Sequence, residues 1–182
     1  MQPLSSLDDI ERLYTARGGL SYGEGVTQLE HAVQCASLAE AEGHPSGLIV
    51  AALLHDIGHL LEEEKDVLSA RADLHHEMVG AQILASLFGE EVCIPVARHV
   101  AAKRYLCFAD PQYFQALSPA SQASLALQGG PFDAKQAAAF ERLSFWREAV
   151  ALRRFDDMGK REEFRGRPFA AFRLLMQQAA IV

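Results

Sequence analysis

The run LIVAALLHDIGH, residues 48–59, carries an apolar helical pattern straight into two adjacent metal-competent side chains, His55 and Asp56. His31 stands upstream, and His76, His99 and Asp156 stand downstream, each inside its own helical pattern. Four imidazoles carried on separate helices are costly to bring into one core without compensation, and metal binding removes that cost. The series suits a pair of borderline-hard cations sharing one carboxylate, because the two oxygens of Asp56 can reach two ions. His44 and His75 fall outside the series and read as ordinary hydrogen-bonded histidines.

A chain of 182 residues, 49% hydrophobic and 23% charged, has the size and composition of one compact domain, residues 1–182. The longest uninterrupted aliphatic run, residues 48–54, is too short to cross a bilayer, so no membrane association is expected. Three cysteines without CxxC spacing read as small buried hydrophobes of a reducing cytoplasm. A formal net charge of -7 argues against a nucleic-acid partner. Positive charge is local instead: Lys103-Arg104 and Arg153-Arg154 lie near the histidine series and favour a small anion.

Helix punctuation recurs along the chain, and the expected fold is all-α. Thr27 with Glu30 is a capping box opening a helix that Gly43 ends. A second helix is expected over 46–61, a loop over 62–73, a helix from His76 to near Gly89, and another over 91–106. Ser118-Pro119 starts a short helix that stops at Gly129-Gly130. Asp133 with Gln136 opens a long helix over 133–157, and residues 168–180 form a final amphipathic helix. Lys103 lies one turn after His99 and Arg153 about 60° from Asp156, so both cations share the face of a metal-competent residue.

With His31, the His55-Asp56 pair and the distal Asp156, the chain resembles the HD-domain superfamily, and His76 and His99 match its dinuclear members. Longer runs resemble one branch, the mixed-valent diiron oxygenases that degrade 1-hydroxy-2-aminoethylphosphonates and their N-methylated relatives. These runs are TQLEHAVQCA, AALLHDIGH, HHEMVGA, HVAAKRYL, LQGGP and RRFDDMGK, which together span residues 27–160.

The resemblance implies two iron ions in a mixed-valent Fe(II)/Fe(III) state, with O2 as co-substrate. His31, His55, Asp56 and Asp156 would hold one iron, and Asp56, His76 and His99 the other. Lys103 and Arg153 match the phosphonate-binding cations; Ser121, Ser124 and Gln128 match a polar helix; His59 matches a group able to touch the phosphonate. Glu24 corresponds to the carboxylate that receives the substrate's cationic nitrogen. Tyr22 lies two residues before Glu24, where the branch member acting on the primary amine has an iron-capping tyrosine three before. Iron ligation by Tyr22 therefore stays open, as does the choice between a primary amine and a trimethylammonium group held by Glu24 and the Tyr22 ring.

The implied activity is oxidative cleavage of the carbon–phosphorus bond of (R)-1-hydroxy-2-(trimethylammonio or amino)ethylphosphonate, giving glycine betaine or glycine plus phosphate. A metal-dependent phosphohydrolase of a nucleotide or small phosphate ester is the alternative, since the same donors can activate water. A non-catalytic sensor of a phosphorylated ligand is a third reading, and it leaves the ligand series without a purpose. No protein partner is expected.

Overall fold

The computed structural model describes residues 4–61, 75–164 and 166–181, and it is all-α apart from one small hairpin. Its centre is α3 (Ser46–Leu54), whose residues Leu48 through Leu54 are buried on every side. A helix apolar all round must be enclosed by others. Around it stand α2 (Gln28–Ala41), α5 (Glu90–Ala109), α9 (Trp146–Met158) and α10 (Arg173–Ala179). α4 (His76–Leu84) packs on α5, while α1 (Leu7–Arg17) lies against α10. The hairpin, β1 (Ser21–Gly23) and β2 (Val26–Thr27), leads into α2. Three short helices, α6 (Pro111–Ala116), α7 (Pro119–Leu127) and α8 (Ala134–Phe140), cover the C-terminal half of α5.

Local chemistry fixes most starts. Both capping boxes form: Thr27 Oγ1 accepts from Glu30 N while Glu30 Oε2 accepts from Thr27 N, and Asp133 and Gln136 do the same. Ser118 caps α7 ahead of Pro119. Among the described residues no helix is long and apolar enough to cross a membrane.

Three expectations need correction. The helix expected over 46–61 ends at Leu54, and a 3-10 turn, Ile57–Leu61, follows the His55-Asp56 pair. Neighbouring residues diverge by about 100° inside an α-helix, so two adjacent side chains reach one site more readily at a helix tip. The helix expected over 133–157 is broken at residues 141–145, where Phe145 takes a left-handed φ of 56° and an Arg98 Nη donates to the Ser144 carbonyl. The bend lets Phe140 and Ala149 both pack against Ala102 of α5. The helix expected over 168–180 opens as a 3-10 turn, Phe169–Phe172, before α10.

Two helices had no counterpart in the sequence reading. α1 buries only Ile10 and Tyr14, too thin a stripe to stand out among charges, although Ser6 caps it by accepting from Asp9 N. α6 is a single Asp110-capped turn. The stretch 62–73, expected as a loop, lies outside the described residues.

Gly58 shows how tightly the turn after Asp56 is held. A Cβ there would overlap the backbone carbonyl of His76, so the two metal-competent segments meet backbone to backbone. Gly58→Ala is expected to destabilise the fold by about 1–3 kcal/mol through overpacking, measured by urea unfolding. Unchanged stability would show that the two segments can separate freely.

Candidate metal centre

Six side chains from five places in the fold converge below the tip of α3. His31 comes from α2, His55 and Asp56 from the end of α3, His76 from the first turn of α4, His99 from the middle of α5, and Asp156 from the last turns of α9. All six are buried. His31 Nε2 and His55 Nε2 lie 3.2 Å apart, and His76 Nε2 and His99 Nε2 lie 3.1 Å apart. Asp56 stands between the pairs. Its Oδ2 is 3.3 Å from His55 Nε2 and 3.6 Å from His31 Nε2, while its Oδ1 is 3.4 Å from His76 Nε2 and 3.7 Å from His99 Nε2. Asp156 Oδ1 lies 3.4 Å from His31 Nε2.

The rings are oriented from behind. His31 Nδ1–H donates to the Gly159 carbonyl (2.9 Å), His55 Nδ1–H to Ala52 (2.9 Å) and His99 Nδ1–H to Val96 (2.7 Å). A neutral imidazole that gives its proton at Nδ1 presents a lone pair at Nε2. Three such lone pairs therefore aim at the carboxylates' neighbourhood, the arrangement in which backbone carbonyls usually hold metal-binding histidines. This donor set of imidazole nitrogen and carboxylate oxygen fits divalent transition metals.

The electrostatics agree. Burial raises the Asp56 carboxyl, but His55 and His76 outweigh it and hold Asp56 well below the ordinary carboxylate range. Burial likewise raises Asp156, and the Arg153 guanidinium outweighs it. Burial and the neighbouring rings of His76 and His55 push His99 well below the usual imidazole value, keeping it neutral. For His55, burial opposes the proton but Asp56 favours it more, so its basicity is raised. The lone pair that takes this proton is the one a cation would take, and metal and proton compete for it.

Cys35 also approaches His31, with Sγ 3.7 Å from Nε2. Its thiol donates to the Phe155 carbonyl at 3.4 Å, and burial pushes its pKa well up.

A polar wall flanks the cluster. Lys103 Nζ, one turn beyond His99 and buried, donates to Ser124 Oγ at 2.8 Å. Ser121 and Ser124 lie on α7, and Gln128 closes that helix with its side-chain oxygen buried and without a partner. Arg153 is gripped by its own helix and by α6: Nη1 is 2.7 Å from Asp156 Oδ2, Nη2 pairs with Asp157, and Nε donates to Tyr113 Oη of α6 at 3.1 Å. All three of its nitrogens are engaged, so orienting Asp156 is part of its work. Tyr22 stacks on the His31 ring at 3.9 Å and donates from its hydroxyl to Asp156 Oδ1 at 3.2 Å. His59 stacks on the His76 ring at 4.0 Å. Glu24, at the hairpin tip, is 2.9 Å from Lys160 Nζ.

Four residues around the site carried no role in the sequence reading: Tyr113, Asp157, Lys160 and Gln34, whose side chain bonds the Arg161 backbone. Asp157 and Lys160 lie inside the run RRFDDMGK, the one signal that could have drawn attention to them. Tyr113 and Gln34 give no local signal, since their partners are 40 and 127 positions away.

The all-α fold and its buried histidine and aspartate cluster accord with one family: the model described as HD domain matches residues 29–122, and this chain belongs to it. It is 42% identical over 168 residues to the 1-hydroxy-2-(trimethylamino)ethylphosphonate dioxygenase (glycine-betaine-forming) of Leisingera caerulea, covering 91% of this chain and 86% of that protein. It is 46% identical over 160 residues to the hydroxymethylphosphonate dioxygenase of Gimesia maris, covering 87% and 80%. An uncharacterized protein of Acanthamoeba polyphaga mimivirus is 34% identical over 179 residues, covering 96% and 82%.

Removing the Arg153 guanidinium leaves the buried Asp156 carboxylate without its main compensation. Arg153→Ala is expected to cost about 3–5 kcal/mol in the metal-free protein, read by chemical denaturation. A loss below about 1 kcal/mol would mean that Asp156 draws its stabilisation from elsewhere.

Proposed function

We propose that this chain is a dinuclear dioxygenase that cleaves the carbon–phosphorus bond of a 1-hydroxyphosphonate and releases phosphate. The observation that carries the reading is the position of Asp56, one oxygen toward each histidine pair, beside buried cations in a chain similar to two phosphonate dioxygenases. Candidate substrates are the 1-hydroxy-2-(trimethylammonio or amino)ethylphosphonates and hydroxymethylphosphonate. Free thiols at Cys35, Cys93 and Cys107 suit a reducing cytoplasm.

His31, His55, Asp56 and Asp156 would hold one iron, and Asp56, His76 and His99 the other. When bound, the mixed-valent pair supplies the redox chemistry of dioxygen and lowers the pKa of a coordinated hydroxyl. The balance closes without an added reductant: RCH(OH)PO3H2 and O2 give RCOOH and H3PO4. The carbon loses its C–H and C–P bonds and gains two C–O bonds, phosphorus gains a P–O bond, and O2 accepts four electrons.

The protein's own groups bind and orient. Lys103, with Ser124 and Ser121, offers a cation and hydroxyls to the phosphonate oxygens. Arg153 adds positive potential from behind Asp156, which also stabilises the departing phosphoryl group. Carbonyl-anchored rings hold the metal site in place before substrate arrives, so little reorganisation is left for the reaction itself. Burial of the whole cluster limits water, which would favour simple hydrolysis.

The test is phosphate release from the candidate hydroxyphosphonates by iron-loaded protein, with and without dioxygen. Release should require O2 and consume it stoichiometrically. Equal release under nitrogen would overturn the oxygenase reading in favour of a phosphohydrolase. His99→Ala should about halve the bound metal and abolish turnover. Lys103→Ala should keep its metal and raise KM about ten- to a hundredfold, the loss of one charge-assisted hydrogen bond.

A further inference from the structure

Glu24 and the Tyr22 ring form what an ammonium group seeks, a carboxylate beside an aromatic face. The protein fills that place itself. Lys160 Nζ is 2.9 Å from Glu24 Oε2, lies 5.4 Å from the Tyr22 ring centroid, and donates to Ser121 Oγ at 3.3 Å. Both side chains of the pair are largely buried, at 12% and 20% exposure, so the contact is poorly screened.

The placement of Lys160 is built in at the backbone. The carbonyl of Gly159, just before it, accepts from His31 Nδ1. Arg161, just after it, is clamped by Gln34, which accepts from its N–H at 2.9 Å and donates to its carbonyl at 3.0 Å. Glu24 is fixed as firmly: it sits at a left-handed φ of 55° in the Glu24-Gly25 hairpin turn, and Ser118 joins Lys160 in hydrogen bonding its carboxylate.

Lys160 also borders the anion-binding wall. It reaches Ser121 while Lys103 reaches Ser124, and Ser124 Oγ donates to the Ser121 carbonyl. A bare Glu24 carboxylate near this wall would repel a phosphonate, and a neutralised one does not.

We propose that Lys160 is the specificity-determining residue of this site: an internal counterion that lets the chain act on hydroxyphosphonates lacking a cationic nitrogen, and that a cationic substrate must displace from Glu24 and Tyr22. The inference rests on the hydroxyphosphonate reading above. Lys160 does not touch the reacting atoms, so its effect falls on KM more than on kcat.

The test uses iron-loaded wild type, Lys160→Met and Lys160→Arg, with metal content measured on each. Phosphate release under air is followed from hydroxymethylphosphonate and from 1-hydroxy-2-(trimethylamino)ethylphosphonate, and anaerobic binding of each is measured by calorimetry. Wild type should turn over hydroxymethylphosphonate. In Lys160→Met the ratio of kcat/KM, cationic over uncharged substrate, should rise at least tenfold, chiefly through KM and matched in the binding constants, and Lys160→Arg should restore it. Glu24→Gln, which keeps the size of the side chain, should move the ratio at least tenfold the other way. A wild type that accepts only the cationic compound, or ratios unmoved by these substitutions, would overturn the role of Lys160 and leave the dioxygenase reading standing. Release of phosphate by metal-loaded wild type from neither compound, nor from 1-hydroxy-2-aminoethylphosphonate, would instead overturn the dioxygenase reading, and this inference with it.

Discussion

The structure is organised around one carboxylate that has to serve two sides. Asp56 is buried with its oxygens facing opposite histidine pairs, and a charge so placed is tolerable only if groups around it compensate. The surrounding elements follow from that demand. α3 has to end where it does, so that His55 and Asp56 can face one site. α2, α4, α5 and α9 have to approach its tip closely enough to bring in His31, His76, His99 and Asp156. Gly58 permits the closest of these approaches, with backbone meeting backbone at His76.

The compensation is layered. Around the carboxylates stand the ring nitrogens; behind three of the rings stand backbone carbonyls; behind Asp156 stands Arg153, itself gripped by Asp157 and Tyr113. Each layer fixes the one inside it. The polar centre therefore sits in an apolar frame whose buried residues come from Leu4 to Val96 and from Leu152 to Ala179.

Much of this was legible in the sequence because the signals are local. Capping boxes at Thr27 and Asp133, the proline after Ser118 and the apolar run before His55 announce helix starts and a buried centre from a few adjacent residues. The six metal-competent side chains could be named because their residue types are costly to bury without a shared purpose, and the fold does bring all six together. Breaks were harder to read. The bend at Phe145 is made by packing of Phe140 and Ala149 on α5, a tertiary effect that overrides a continuous helical pattern. α1 was hidden because only two of its residues are buried. The supporting residues were hidden for another reason: Gln34, Tyr113 and Lys160 are ordinary polar residues until partners far along the chain give them a function.

The Gly159–Arg161 segment joins two of these layers. Its first carbonyl sets the tilt of the His31 ring, its middle side chain meets Glu24, and its last residue is moored to α2 by Gln34. Three consecutive residues thus connect the orientation of one ring with the Lys160–Glu24 ion pair. The lysine that answers Glu24 and the carbonyl that holds the His31 ring share one short stretch of backbone, so a change of conformation there would disturb both at once.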